Sequence, residues 1–186
     1  MATSTFMYKH ARSAALVSAV ALGSFGASSS FAAESSTTAE ASVISPIAIT
    51  TDVDLNFGRF AAGVAVGTVT VSTSGARTSS GDVILSTIGS SPAAAKFDVT
   101  GDDNATYTIA WSGATSLTNT AGAGETMVLA RISDLTAGDA TSGEVDTGTL
   151  SETGTQSIYL GGTLDVGAAQ VAGLYTGDVT ATVEYN

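Results

Sequence analysis

The chain has 186 residues, of which 44% are hydrophobic but only 6% aromatic and 12% charged, about half the charge of an ordinary soluble domain. Six basic residues stand against 17 acidic ones, which excludes a basic nucleic-acid footprint and makes an anionic membrane surface repulsive. There is no cysteine and one histidine, His10, so disulfides, thiolate metal sites and cysteine nucleophiles are excluded.

Residues 1–32 read as a secretory signal peptide that is cleaved. Lys9, His10 and Arg12 form a positive start, and an apolar run follows from Ala14 to Gly26. Ser30 and Ala32 are the small residues before a cut after Ala32, whereas a cut after Ala33 would put bulky Phe31 in the upstream small-residue position. The apolar run falls short of the roughly 20 residues that span a bilayer, so export through the inner membrane is expected rather than anchoring. Export removes the histidine and leaves Arg59, Arg77, Lys96 and Arg131 against every acid in the chain.

Residues 33–46 form an N-terminal extension rich in Glu, Ser, Thr and Ala. Such a composition buries too little apolar surface to fold alone. Within it Ala39, Ala41 and Val43 alternate, and Ile47 and Ile49 continue that phase beyond Pro46. The period-two pattern runs on through Val53, Leu55 and Phe57, with Thr51 the one interruption, and predicts a half-buried first strand.

Further strands are expected at Thr68 to Ser72, Asp82 to Ile88, Lys96 to Thr100, Ala105 to Ser112, Met127 to Ile132, Gln156 to Val166 and Leu174 to Tyr185. Gly, Asp, Asn and Ser clusters separate them, and these residues favour turns through positive φ or through bonds to their own backbone. Gly138 to Gly154 reads as a long loop or irregular edge. No helical periodicity stands out. Seven or eight short strands at such spacing predict an all-β, immunoglobulin-like antiparallel sandwich over residues 47–186.

The residues permit little chemistry. Without His or Cys the processed chain lacks a Ser-His-Asp or Cys-His constellation and the usual zinc ligands. A Ser–Lys pair would need Lys96, which reads as a solvated edge lysine. Asp52 and Asp54, or Asp102 to Asn104, lack the calcium loop with its terminal Glu. Gly161-Gly162 and Gly122 to Gly124 lack the helix and lysine of a phosphate loop. The expectation is a non-enzyme with no cofactor and no metal.

The last predicted strand carries the most information. Tyr175, Val179, Ala181, Val183 and Tyr185 fall in one phase, Tyr185 is penultimate, and Gly173 is fourteenth from the end. This combination resembles the C-terminal strand of bacterial chaperone–usher pilins. Asp54 to Phe60, Gly67 to Ser72, Gly75 to Arg77 and Tyr175 to Gly177 look like an uncharacterised family of Gly/Thr-rich secreted bacterial domains, itself similar to archaic chaperone–usher pilus subunits. The likeness covers about Ile47 to Asn186. It departs in one respect, since many pilins carry a disulfide near the first strand.

The resemblance implies an incomplete sandwich whose groove is filled by the extension of the next subunit. It makes Ala39, Ala41, Val43, Ile47 and Ile49 donor-strand candidates. Gly173, Tyr175, Val179, Ala181, Val183 and Tyr185 become the groove and chaperone edge, with Phe57 in the groove and Gly173 permitting the turn into the strand. Partners would be identical or related subunits joined head-to-tail, a periplasmic chaperone and an outer-membrane usher. The product would be a cell-surface fibre supporting adhesion or biofilm formation. The residues alone leave open a self-complete secreted binding module, an adhesin or carbohydrate binder, with Ile47 to Phe57 simply its own first strand.

The signal-peptide reading predicts that the exported protein begins at Ala33, which N-terminal sequencing of the secreted form checks. Recovery of an intact Met1 to Ala32 on the exported chain would overturn it.

Overall fold

A computed structural model describes residues 32–122 and 124–186, so the segment expected as a signal peptide, residues 1–32, falls almost wholly outside the described residues. The chain divides at Ala41/Ser42. Residues 32–41 carry no helix or strand. The second unit, Ser42–Asn186, is built of β-strands, and no helix occurs among the described residues.

Eleven strands follow in order. They are β1 (Ala48–Val53), β2 (Phe60–Val71), β3 (Arg77–Leu85), β4 (Ala95–Thr100), β5 (Thr106–Gly113), β6 (Ser116–Asn119), β7 (Thr126–Asp134), β8 (Thr147–Thr149), β9 (Thr155–Val166), β10 (Tyr175–Thr176) and β11 (Val179–Tyr185). All pairings are antiparallel. An eight-stranded sheet runs β1-β4-β9-β7-β6-β10, with β2 on the far half of β9 and β3 beyond it. A three-stranded sheet, β11-β5-β8, covers one part of it. The fold is the expected all-β sandwich of immunoglobulin-like type.

Alternation explains the layers. In β4, Ala95, Phe97 and Val99 turn inward while Lys96 and Asp98 turn out. In β5, Tyr107 and Ile109 do the same. These residues meet Leu150, Ile158, Leu160 and Val183 in one apolar cluster between the two sheets. Phe97 meets Trp111 edge-to-face with ring centroids 6.0 Å apart, and the indole N–H donates to the Val145 carbonyl at 3.0 Å. A second cluster lies inside the curl of the large sheet. It gathers Phe57, Val69, Val71, Val83, Met127, Leu129, Leu164 and Val166.

The alternation of residues matches β4, β5 and β9 but not every strand. The expected last strand, Leu174 to Tyr185, is two strands in two sheets. β10 pairs with β6, and β11 pairs with β5. The chain switches sheets at Gly177-Asp178, where a Cβ on Gly177 would meet the Ala114 and Leu117 side chains at 2.9 and 3.0 Å. β3 begins at Arg77 and ends at Leu85, so Ile88 lies outside it and is exposed. β6 and β8 were not foreseen. β8 sits inside the expected long loop, where Gly148 leaves room for the buried Tyr107 ring.

Arg77 ties the loops around β2 together. Its Nη1 donates to the carbonyls of Phe57 and Arg59 at 2.9 and 3.1 Å and to Ser90 Oγ at 3.0 Å, and its Nη2 donates to the Ser86 carbonyl at 2.7 Å. Charge-assisted bonds to partly buried carbonyls are strong, and unpaired carbonyls are costly. Arg77→Met should therefore lower stability by about 2–4 kcal/mol. Denaturant titration checks this, and an unchanged midpoint would refute it.

Asp98 accepts from Ser157 Oγ at 2.8 Å and pairs with Lys96. The Ser157 bond first, and Lys96 second, hold its carboxyl below the ordinary value. A carboxyl depressed in the folded state stabilises above its unfolded pKa, about 4, and loses that contribution as pH falls through the folded pKa. Melting temperature should accordingly drop as pH falls below about 4, and less steeply in Ser157→Ala. Equal slopes would remove the Ser157–Asp98 bond as a cause.

Candidate functional site

Two strands at the margins of the two sheets face each other without pairing. β1 is bonded only through β4, and β11 only through β5. Residues 45–62 and 171–185 run antiparallel along the gap, and no backbone hydrogen bond joins them. Each therefore presents backbone N–H and C=O groups with no ladder partner, the arrangement that accepts an added strand.

The gap has defined ends. At one end the Tyr185 hydroxyl donates to the Ser45 carbonyl at 2.9 Å and accepts from the Asp102 N–H at 2.6 Å. This one phenol clasps the chain ahead of β1, the end of β11 and the turn after β4. Gly101 makes it possible, because a Cβ there would strike the Tyr185 hydroxyl. At the other end the Ala169 N–H donates to the Gly63 carbonyl at 2.8 Å.

Between these ends lie two consecutive clefts. The narrower, of about 370 Å³, has Thr51, Leu55 and Phe57 on one wall, Thr176 to Val179 on the other, and Phe97, Leu129 and Leu160 on its floor. Phe97 and Leu160 belong to the first apolar cluster and Phe57 and Leu129 to the second, while Leu55 and Val179 touch both. The cleft thus opens on the seam of the core. The wider, of about 620 Å³, lies between Gly58 to Ala62 and Gln170 to Tyr175, with Met127 beneath.

The residues singled out in the sequence fall as follows. Val179 and Ala181 are half-buried and Val183 is buried, all on the inner face of β11 with Tyr185. Tyr175 belongs to β10 and lines the wider cleft. Its hydroxyl donates to the Val171 carbonyl at 2.7 Å and accepts from Gln170 Nε2 at 2.9 Å. Phe57 sits in the second cluster and the narrower cleft. Gly173 does not hold a left-handed turn. It is needed because a Cβ there would lie 2.6 Å from the buried Asn119 amide. Ile47 and Ile49 rest half-buried against the first cluster. Val43 is 96% exposed and Ile44 55%, while Ala39 and Ala41 are exposed and outside any strand.

Sequence reasoning missed Ser45 and Asp102, whose backbones hold the Tyr185 hydroxyl, because backbone partners leave no mark on residue type. It also missed Arg59, Phe60 and Met127 in the wider cleft. A lone arginine between Gly58 and Phe60 was the available signal. Among the described residues no group of three His, Cys, Asp or Glu side chains converges to hold a metal.

None of the curated proteins matches this chain. Residues 47–185 match a family described as a domain of unknown function, DUF4402. Since the match takes in β1 to β11 and both walls of the gap, the chain belongs to that family, the DUF4402 domains of unknown function.

Proposed function

We propose that this protein is an exported structural subunit of a bacterial surface fibre, assembled head-to-tail by strand addition. The observation that carries the reading is the gap between β1 and β11, with unpaired backbone on both walls and the seam of the core as its floor. An extended strand entering there would part β1 from β11 where their Cα atoms approach within 8 Å, bond along both edges, and bring its alternate side chains to the two apolar clusters. The strand is supplied by the extension of a neighbouring subunit, with Ala39, Ala41 and Val43 facing inward. Such an interface is heterologous and does not close, so it yields a filament.

On this reading the protein is not an enzyme. A periplasmic chaperone covers the gap before assembly, an outer-membrane usher passes the subunit outward, and the fibre serves adhesion or biofilm formation. These partners come from the resemblance of the last strand to chaperone–usher pilins, which Tyr185 and the inner face of β11 support.

A second reading, a self-complete secreted binding module, is favoured by one observation. The Tyr185 clasp holds the Ser45 end of the gap closed without any partner. The two readings part in one experiment. Deleting residues 33–43 should give a folded monomer that forms no fibres, and a peptide of residues 33–45 should bind it and raise its melting temperature. A deleted chain that still polymerises, or that ignores the peptide, would favour the module.

A further inference from the structure

The four basic residues after the signal peptide have very different occupations. Lys96 is held by Asp52 and Asp98, and Arg131 by Glu144. Arg77 is consumed by the carbonyls of Phe57, Arg59 and Ser86. Arg59 is exposed, and no carboxylate lies within 4.0 Å of its guanidinium among the described residues. It stands on the wall of the wider cleft, beside the Arg77 guanidinium that grips its own carbonyl. One of the four cations therefore lines the wider cleft of a strongly acidic chain, and a second bonds that residue's carbonyl.

The N-terminal extension has the opposite sign. Its only charged side chains are Glu34 and Glu40, against the single α-amino charge that cleavage creates at Ala33. Its small residues, Ala39 and Ala41, precede its large ones, Val43 and Ile44. The gap is graded in the same sense, with about 370 Å³ at the Leu55/Val179 level and about 620 Å³ at the Phe60/Leu174 level. Leu174 and Val171 stand exposed on the wide part and match the inward-facing Val43 in character. Matching side-chain size to cleft volume seats Val43 in the larger cleft. Glu40 then lies three residues away, about 10 Å along an extended strand, within the sweep of a long arginine side chain. Glu34 lies about 20 Å further on.

We infer that Arg59 is the docking cation of the wider cleft and that it receives Glu40 from the extension of a second copy of this chain. The inference rests on the fibre reading above and adds the contact that sets the register of the incoming strand. A charge at the rim of an interface acts chiefly on association rate and partner choice, and salt screens it.

The test is a charge swap on the full processed chain, with peptides of residues 33–45 as probes and Trp111 fluorescence as readout. The native peptide should bind the wild-type chain and bind Arg59→Glu about fivefold more weakly at low salt, the difference fading in high salt. A peptide carrying Glu40→Arg should show the reverse preference. Fibre formation should follow the same pattern, with Glu40→Arg restoring assembly to Arg59→Glu. Arg59→Glu should melt as wild type, since among the described residues the guanidinium makes no hydrogen bond or ion pair and only lies against the turn at Gly89. Equal binding of the native peptide to both chains would overturn the pairing while leaving strand addition intact. Rescue by a Glu34→Arg peptide, which has the same net charge, would also overturn it. Failure of the native peptide to bind the wild-type chain would instead remove the fibre reading itself.

Discussion

The whole architecture depends on β9 serving three partners at once. Its first half pairs with β4, its second half with β2 on the same edge, and β7 runs along its other edge. The handover from β4 to β2 falls at Gly161 and Gly162. A Cβ on Gly161 would strike the carbonyl of Val71, and one on Gly162 would come within 2.8 Å of Leu129. Only residues without side chains let the backbone of β2 come that close. Because β2 joins β9 there, the large sheet curls, and the curl makes room for a second apolar cluster beside the one between the sheets.

Two clusters create a seam, and the C-terminal segment decides what happens to it. Had Leu174 to Tyr185 been one strand, it would have stayed in one sheet. Instead Gly177, pressed against Ala114 and Leu117, sends β11 into the small sheet while β10 remains in the large one. β1, held by β4 in the large sheet, then faces β11 across the seam with no ladder between them. The gap therefore follows from topology and not from loose packing. The Tyr185 hydroxyl fixes its width at one end by bonding both Ser45 and Asp102.

Much of this was legible in the residue order. β4, β5 and the inner face of β11 follow strict alternation, because each has one face on the core and one in water. The short strands escaped notice for the opposite reason. β8 contributes Thr147, Gly148 and Thr149, with no apolar residue to betray it, and it exists because the edge of β5 needs a partner. The break at Gly177 was hidden because Tyr175 and Val179 keep the same phase across it. Of the candidate site, the inner-facing residues were readable from their period. The clasp and the cations were not, since they act through backbone carbonyls and through neighbours distant in sequence.

Open edges are a hazard for any β protein, and this one manages them with charge and distortion. β1 carries a bulge at Asp52, between Thr51 and Val53, with Asp54 just beyond, and β11 follows Asp178 and carries Glu184. The strongly acidic balance makes like subunits repel at long range, which slows indiscriminate pairing of their edges. Association through the gap must then overcome that repulsion with short-range terms, namely backbone hydrogen bonds and apolar filling of the seam. Among the described residues three of the four cations are already neutralised or spent on carbonyls, so a surface arginine at the wide end of the gap is a scarce resource. Its position on the wall, and not on the outer faces of the sheets, is what makes charge a guide to that gap as well as a barrier to other contacts.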